Sequence, residues 1–103
     1  MKKYNKLVRD KIPAIIESRG QRVETRTLND KEYLEQLVEK LFEEVDEFDE
    51  DRSVEEMADV LEVLLALADA LGIRRTQLEA VRRAKATARG TFKKRLFLER
   101  VED

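Results

Sequence analysis

"KLFEEVDEFDEDRSVEEMADVLEVLLAL", residues 40–67, joins two helical patterns through a turn only a few residues long. On its N-terminal side, Leu34, Leu37, Val38, Leu41, Val45 and Phe48 recur at helical spacing to about residue 49. On its C-terminal side, Met57, Val60, Leu61, Leu64, Leu67, Ala68 and Leu71 make an apolar face wide enough for more than one neighbouring helix. The connection "DEDR" is too short for anything but an antiparallel return. Both helices have start signals. Asn29 with Glu32 and Ser53 with Glu56 each fit a capping box, and Gly72 stops the second helix.

Working outward, a short helix is predicted after Asp10 as cap, with Pro13 in its first turn, Ile12, Ile15 and Ile16 on its apolar face, and Gly20 at its end. Residues 21–28, "QRVETRTL", are rich in β-branched side chains and read as extended. A fourth helix is expected from Arg75 to Arg89 with Leu78, Val81, Ala84 and Ala88 inward. After Gly90, "TFKKRLFL" (91–98) reads as extended and is a candidate to pair with 21–28. The expected fold is all-α: an antiparallel bundle of about four helices with short extended terminal segments, one domain over residues 1–103. A chain this small has a modest core, and association would enlarge it.

Composition excludes several chemistries. The chain has no Cys and no His. Disulfides, thiolate metal sites and a Ser-His-Asp triad are therefore absent, and any metal must be a hard cation held by oxygen. A net charge of −2 argues against a general binder of nucleic-acid polymers. The most apolar run, "VLEVLLALADALG", contains Glu62 and Asp69 and is too short to span a bilayer, so no membrane partner is expected. The N-terminus has no apolar leader-like run, and a cytoplasmic location is the expectation.

Charge is unevenly placed. Residues 43–62 hold eleven acids and one base, Arg52, whereas residues 74–95 hold nine bases and one acid, Glu79. Glu44 and Glu47, and likewise Glu56 and Asp59, are three apart and share a helix face. Glu44 lies in the row Leu37, Leu41, Glu44, Phe48, while Glu56 and Asp59 head rows running into Val60, Val63 and Ala66. These acids stand in line with apolar stripes, whereas Asp46, Asp49, Glu50, Asp51 and Glu55 lie near the turn and read as solvated. An antiparallel hairpin puts both pairs at the same end of the bundle. Two unit charges about 4 Å apart cost roughly 4 kcal/mol at an effective dielectric of 20, so converging carboxylates need protons or cations. Spacing alone leaves two readings open, a solvated acidic face and a cation site. An EF-hand is excluded, since Val54 and Val60 occupy the places of its Gly and its terminal Glu.

"KLFEEVDEF" followed by "EEMADVLEVLLAL" resembles the EExxE…ExxD signature of the all-α NTP pyrophosphatase superfamily, the MazG-like and phosphoribosyl-ATP pyrophosphatase group. The opening "YNKLVRDKIPAII" and the closing "RGTFKKRLFL" resemble a small subfamily of house-cleaning nucleotide pyrophosphohydrolases. The resemblance covers nearly the whole chain. The gap between Glu47 and Glu56 is shorter than in many members. The resemblance implies that Glu44, Glu47, Glu56 and Asp59 ligate Mg²⁺, with Mn²⁺ as an alternative, and that Glu43 or Glu47 assists proton transfer. It implies a nucleotide substrate, hydrolysed to the monophosphate and pyrophosphate, and a homodimer or higher homo-oligomer. Phosphate contacts are expected from Lys6, Arg9, Lys11, Lys85, Arg89, Lys94 and Arg95. Arg82 and Arg83 are expected to pair with acids of a neighbouring helix, and Tyr4, Asn5 and Phe92 are candidates for base contacts, Phe92 also for the core. Phosphoribosyl-ATP hydrolysis and a non-catalytic dimerisation or adaptor module are the competing functions.

Overall fold

A computed structural model describes residues 1–102. Four helices follow one another: α1 (Ile12–Ser18), α2 (Asp30–Glu50), α3 (Val54–Ala70) and α4 (Arg75–Arg89). Regular structure among the described residues is entirely helical.

The hairpin of α2 and α3 is the body of the molecule, and these two helices pack along each other. At the start of α2 the capping box is complete. The Asn29 side chain accepts from the Glu32 amide at 2.9 Å, and the Glu32 carboxylate reaches back to the Asn29 amide at 3.5 Å. At the start of α3 only half of the box forms. Ser53 accepts from the Glu56 amide at 3.2 Å, but the Ser53 amide donates to the Asp51 carbonyl, which leaves the Glu56 carboxylate free to turn inward. Gly72, at φ +72°, takes the left-handed conformation that ends α3, and the Ile73 amide closes the turn onto the Ala68 carbonyl at 2.8 Å.

Four sequence expectations need correcting. Lys11, not Asp10, precedes α1, and no side chain caps it; Lys11 is already in the right-handed helical region, so the extended geometry that a capping Asp uses is missing. Residues 21–28 and 91–98 form no strand, and their proposed pairing is absent; the tail instead makes a tight turn from the Arg95 amide to the Phe92 carbonyl. The apolar face of α4 is not covered within the protomer. The helix touches α3 only slightly and no other helix, so Leu78, Val81, Ala84 and Ala88 are exposed. Phe92 is 96 % exposed and belongs to no core.

The protomer is extended, at 61 × 31 × 25 Å. Its radius of gyration is 18.4 Å, against about 13 Å for a compact domain of this length. Only Leu37, Val63 and Ala68 are buried apolar residues among those described. No helix among the described residues is long and apolar enough to cross a membrane.

Candidate metal centre

The helix hairpin brings together the acids whose spacing marked them out. Glu44 of α2 and Glu56 and Asp59 of α3 each place a carboxylate oxygen so that the three lie within 4.8 Å of one another. Glu44 is 7 % exposed, the one buried polar residue among those described. Its burial follows from its row: one turn past Leu41 and one before Phe48, it faces α3 and not water. Glu56 and Asp59 are half-buried at the N-terminal end of α3.

The expected quartet is therefore a trio with a flanking member. Glu47 is exposed and outside the closest set, although its carboxyl is near enough to hydrogen-bond with Glu56. Glu43 is turned toward bases, with its oxygen 3.8 Å from Lys6 Nζ and 3.9 Å from Lys40 Nζ.

Electrostatics are strained in this cluster. Burial pushes the Glu44 carboxyl above its ordinary range, and the negative charges of Glu47 and Asp59 add to the effect; Lys40 opposes it. The Glu56 carboxyl is also raised, first by desolvation, then by Asp59, Glu44 and Asp51. Glu44 Oε2 and Glu56 Oε2 are both buried without a hydrogen-bond partner. An orphaned acceptor of this kind costs about 1–3 kcal/mol, more when charged.

Three basic side chains offset the acids in part. Lys40 lies on the same helix face, 3.4 Å from Glu44 Oε1. Lys6 comes from the irregular N-terminal arm, and so does Arg9, whose Nη2 donates to Asp59 Oδ1 at 2.6 Å. The carboxylates gathered here (Glu43, Glu44, Glu47, Glu56, Asp59) outnumber the three bases, so net negative charge remains at the cluster. A hard dication is a fitting occupant, since every available donor is a carboxylate oxygen and two of those oxygens lack a partner.

Of the expected phosphate contacts, Lys6 and Arg9 lie at the cluster. Lys11 is exposed at the start of α1. Lys85 and Arg89 are exposed on α4, which does not contact α2, and Lys94 and Arg95 are exposed in the tail beyond it. Arg82 and Arg83 do not reach a neighbouring helix; both pair with Glu79, three and four residues earlier on α4. Tyr4 stands in the exposed arm under Lys2, whose Nζ is 5.2 Å from the ring centroid.

Lys40 is the site residue that sequence reading passed over. Its signal was present: it is four residues before Glu44 and three before Glu43, the spacing of helical ion pairs. No protein-family model matches the chain, nor does any curated protein or solved structure.

Proposed function

We propose that this protein is a divalent-cation-dependent nucleotide pyrophosphohydrolase, working as a homodimer or higher homo-oligomer on a nucleoside triphosphate. The reading rests on one observation: Glu44, Glu56 and Asp59 converge within 4.8 Å, with two buried carboxylate oxygens left unsatisfied. Those three residues would hold Mg²⁺, or Mn²⁺ in its place. The bound ion would neutralise phosphate charge and draw electron density from the anhydride.

The chain's own groups then have distinct tasks. Glu47 stands at the exposed margin beside Glu56, where it can take the proton of an attacking water. That water's oxygen bonds to the α-phosphorus as the link to the β-phosphate breaks, so the monophosphate and pyrophosphate separate. Glu43, engaged by Lys6 and Lys40, is poorly placed for the same role and serves to fix those two cations. Lys6 and Arg9 offer positive charge to the phosphates from the arm.

Association has separate support. The accessible surface is 9960 Å², whereas a compact monomer of 12.1 kDa exposes about 6,000 Å². Part of that excess is the arm and tail, but Val38, Phe42 and Val45 of α2 and Met57, Leu61 and Leu64 of α3 are exposed as well. A second copy laid hairpin to hairpin would cover these faces and complete a four-helix core. The same exposed faces favour the alternative reading, an adaptor module that binds a partner and turns over nothing.

A panel of standard, damaged and phosphoribosylated nucleotides, assayed for pyrophosphate release with and without millimolar Mg²⁺, tests the proposal. Metal-dependent release from any member supports it. No release from any, together with a melting temperature that Mg²⁺ shifts no more than matched salt does, leaves the adaptor.

A further inference from the structure

The Arg9–Asp59 pair links the arm to the acid trio across fifty residues of sequence. Arg9 Nη2 sits 2.6 Å from Asp59 Oδ1, with both side chains partly exposed. Asp59 is one of the three carboxylates that converge. The guanidinium is thus already spending its charge on an oxygen set that a dication would use. Arg9 also lines the broad groove between the arm and residues 21–28, together with Tyr4, Asn5 and Gln36.

We infer that Arg9 is an exchangeable internal cation: it holds Asp59 when the site is metal-free, leaves that carboxylate when a divalent ion arrives, and then takes a phosphate oxygen of the substrate. The inference rests on the proposed metal-dependent reading and adds an order of events to it. Three features favour it. The pair is partly solvated, so it is weak enough to be displaced. The arm has no regular secondary structure and only Leu7 half-buried among residues 1–9, so it can shift without breaking a helix. An arginine freed at the mouth of the site presents a planar fork of donors that matches phosphate geometry. Metal and substrate are coupled through one side chain: the ion releases the group that the phosphate needs.

Two binding measurements on Arg9→Ala and Arg9→Lys test this, and they should move in opposite directions. Mn²⁺ uptake without nucleotide is followed from the loss of the free-ion electron paramagnetic resonance signal. Removing the competing cation in R9A should tighten it about two- to five-fold, the range of a partly exposed ion pair. Binding of the Mn²⁺ complex of inorganic tripolyphosphate, by calorimetry in excess Mn²⁺, should weaken about tenfold or more in R9A, for loss of a charge-assisted contact. R9K, which keeps the charge but not the fork, should stay near the wild type for Mn²⁺ and fall between the two for tripolyphosphate. A purely structural role would shift both affinities the same way or neither, and either result overturns the exchange while leaving the metal site intact. If neither the wild type nor R9A takes up Mn²⁺, the metal-site reading and the exchange fall together. Uptake by R9A alone would support the exchange in its strongest form.

Discussion

Glu44 on α2 and Glu56 on α3 bring carboxylate oxygens within 4.8 Å, and each has an oxygen buried without a donor. Folding has gathered like charges where water screens them only in part. Glu44→Gln should therefore stabilise the metal-free protein, because the amide removes one charge and supplies an N–H to its neighbour. The expected gain is about 1 kcal/mol, or a melting temperature about 4–8 °C higher in chelator for a domain of this size. The same variant should lose its response to Mg²⁺, and turnover should fall by about a hundredfold or more. Melting curves in chelator and in millimolar Mg²⁺ check both halves. A lower melting temperature in chelator would mean that Glu44 is not under repulsion.

The raised carboxyls of Glu44 and Glu56 set the pH response. Both groups titrate above the ordinary value of 4.5 in the folded state. Between that value and their folded pKa the native state binds more protons than the unfolded chain, so stability increases as pH falls. The gain is complete below 4.5 and is lost as pH rises through the folded pKa. Glu79 and Glu32 work in the opposite sense. Glu79 is lowered to about 2 by its hydrogen bond with Arg82, and Glu32 is lowered by Arg26. Their contribution is present above the ordinary value and is lost only in stronger acid. Metal-free protein should thus melt higher at pH 5 than at pH 7.5. Saturating Mg²⁺ should flatten or invert the trend, because the ion needs the carboxylates ionised. Unfolding monitored by circular dichroism across that range is the measurement.

The two helix starts should differ in their sensitivity. Asn29 completes a reciprocal box, whereas Ser53 makes one bond and its expected partner, Glu56, faces the acid trio. Asn29→Ala should cost about 1 kcal/mol and leave metal binding unchanged. Ser53→Ala should cost a comparable amount and also weaken Mn²⁺ uptake, since the first turn of α3 positions Glu56. Paired denaturant melts and Mn²⁺ titrations would separate the effects. Equal metal affinity in the two variants would mean that Ser53 is a cap and nothing more.

What the sequence revealed is what lies three or four residues apart. The helices, the Asn29 box, the hairpin and the alignment of Glu44 with Glu56 and Asp59 all follow from local spacing and one short turn. Contacts without a period were illegible. Nothing near Arg9 in the sequence indicates Asp59, fifty residues on, because an irregular arm takes its path from tertiary contacts. Two local motifs compete for Glu56, the second half of a capping box and the apolar row it heads, and only the fold decides for the inward turn. Composition does not tell the basic residues of α4 from those of the N-terminal arm, yet α4 carries Lys85 and Arg89 on a helix with no contact to α2. A propensity for extended backbone at 21–28 and 91–98 was real, but a strand needs a partner, and neither segment has one within the protomer.

Phe42 and Leu61 give the sharpest test of association. Phe42 is 67 % exposed and Leu61 54 % exposed, on the two helices that form the body of the molecule. Large apolar side chains repeat beside them at Val38 and Val45 on α2, and at Met57 and Leu64 on α3. A lone exposed Leu is ordinary, but a row of them at helical spacing on adjacent helices is a face. Burying a side chain of this size is worth about 1.5–3 kcal/mol, and a charge placed at the centre of such a face reverses the sign. Leu61→Asp should therefore shift light scattering from an oligomeric mass toward 12.1 kDa and make the melting temperature independent of protein concentration. Phe92→Asp is the control: Phe92 is also exposed, at 96 %, but lies in the tail beyond α4 and not on the hairpin. It should leave the mass unchanged. A wild-type protein that scatters as a single 12.1 kDa species at all concentrations would leave those faces to a different partner and favour the adaptor reading.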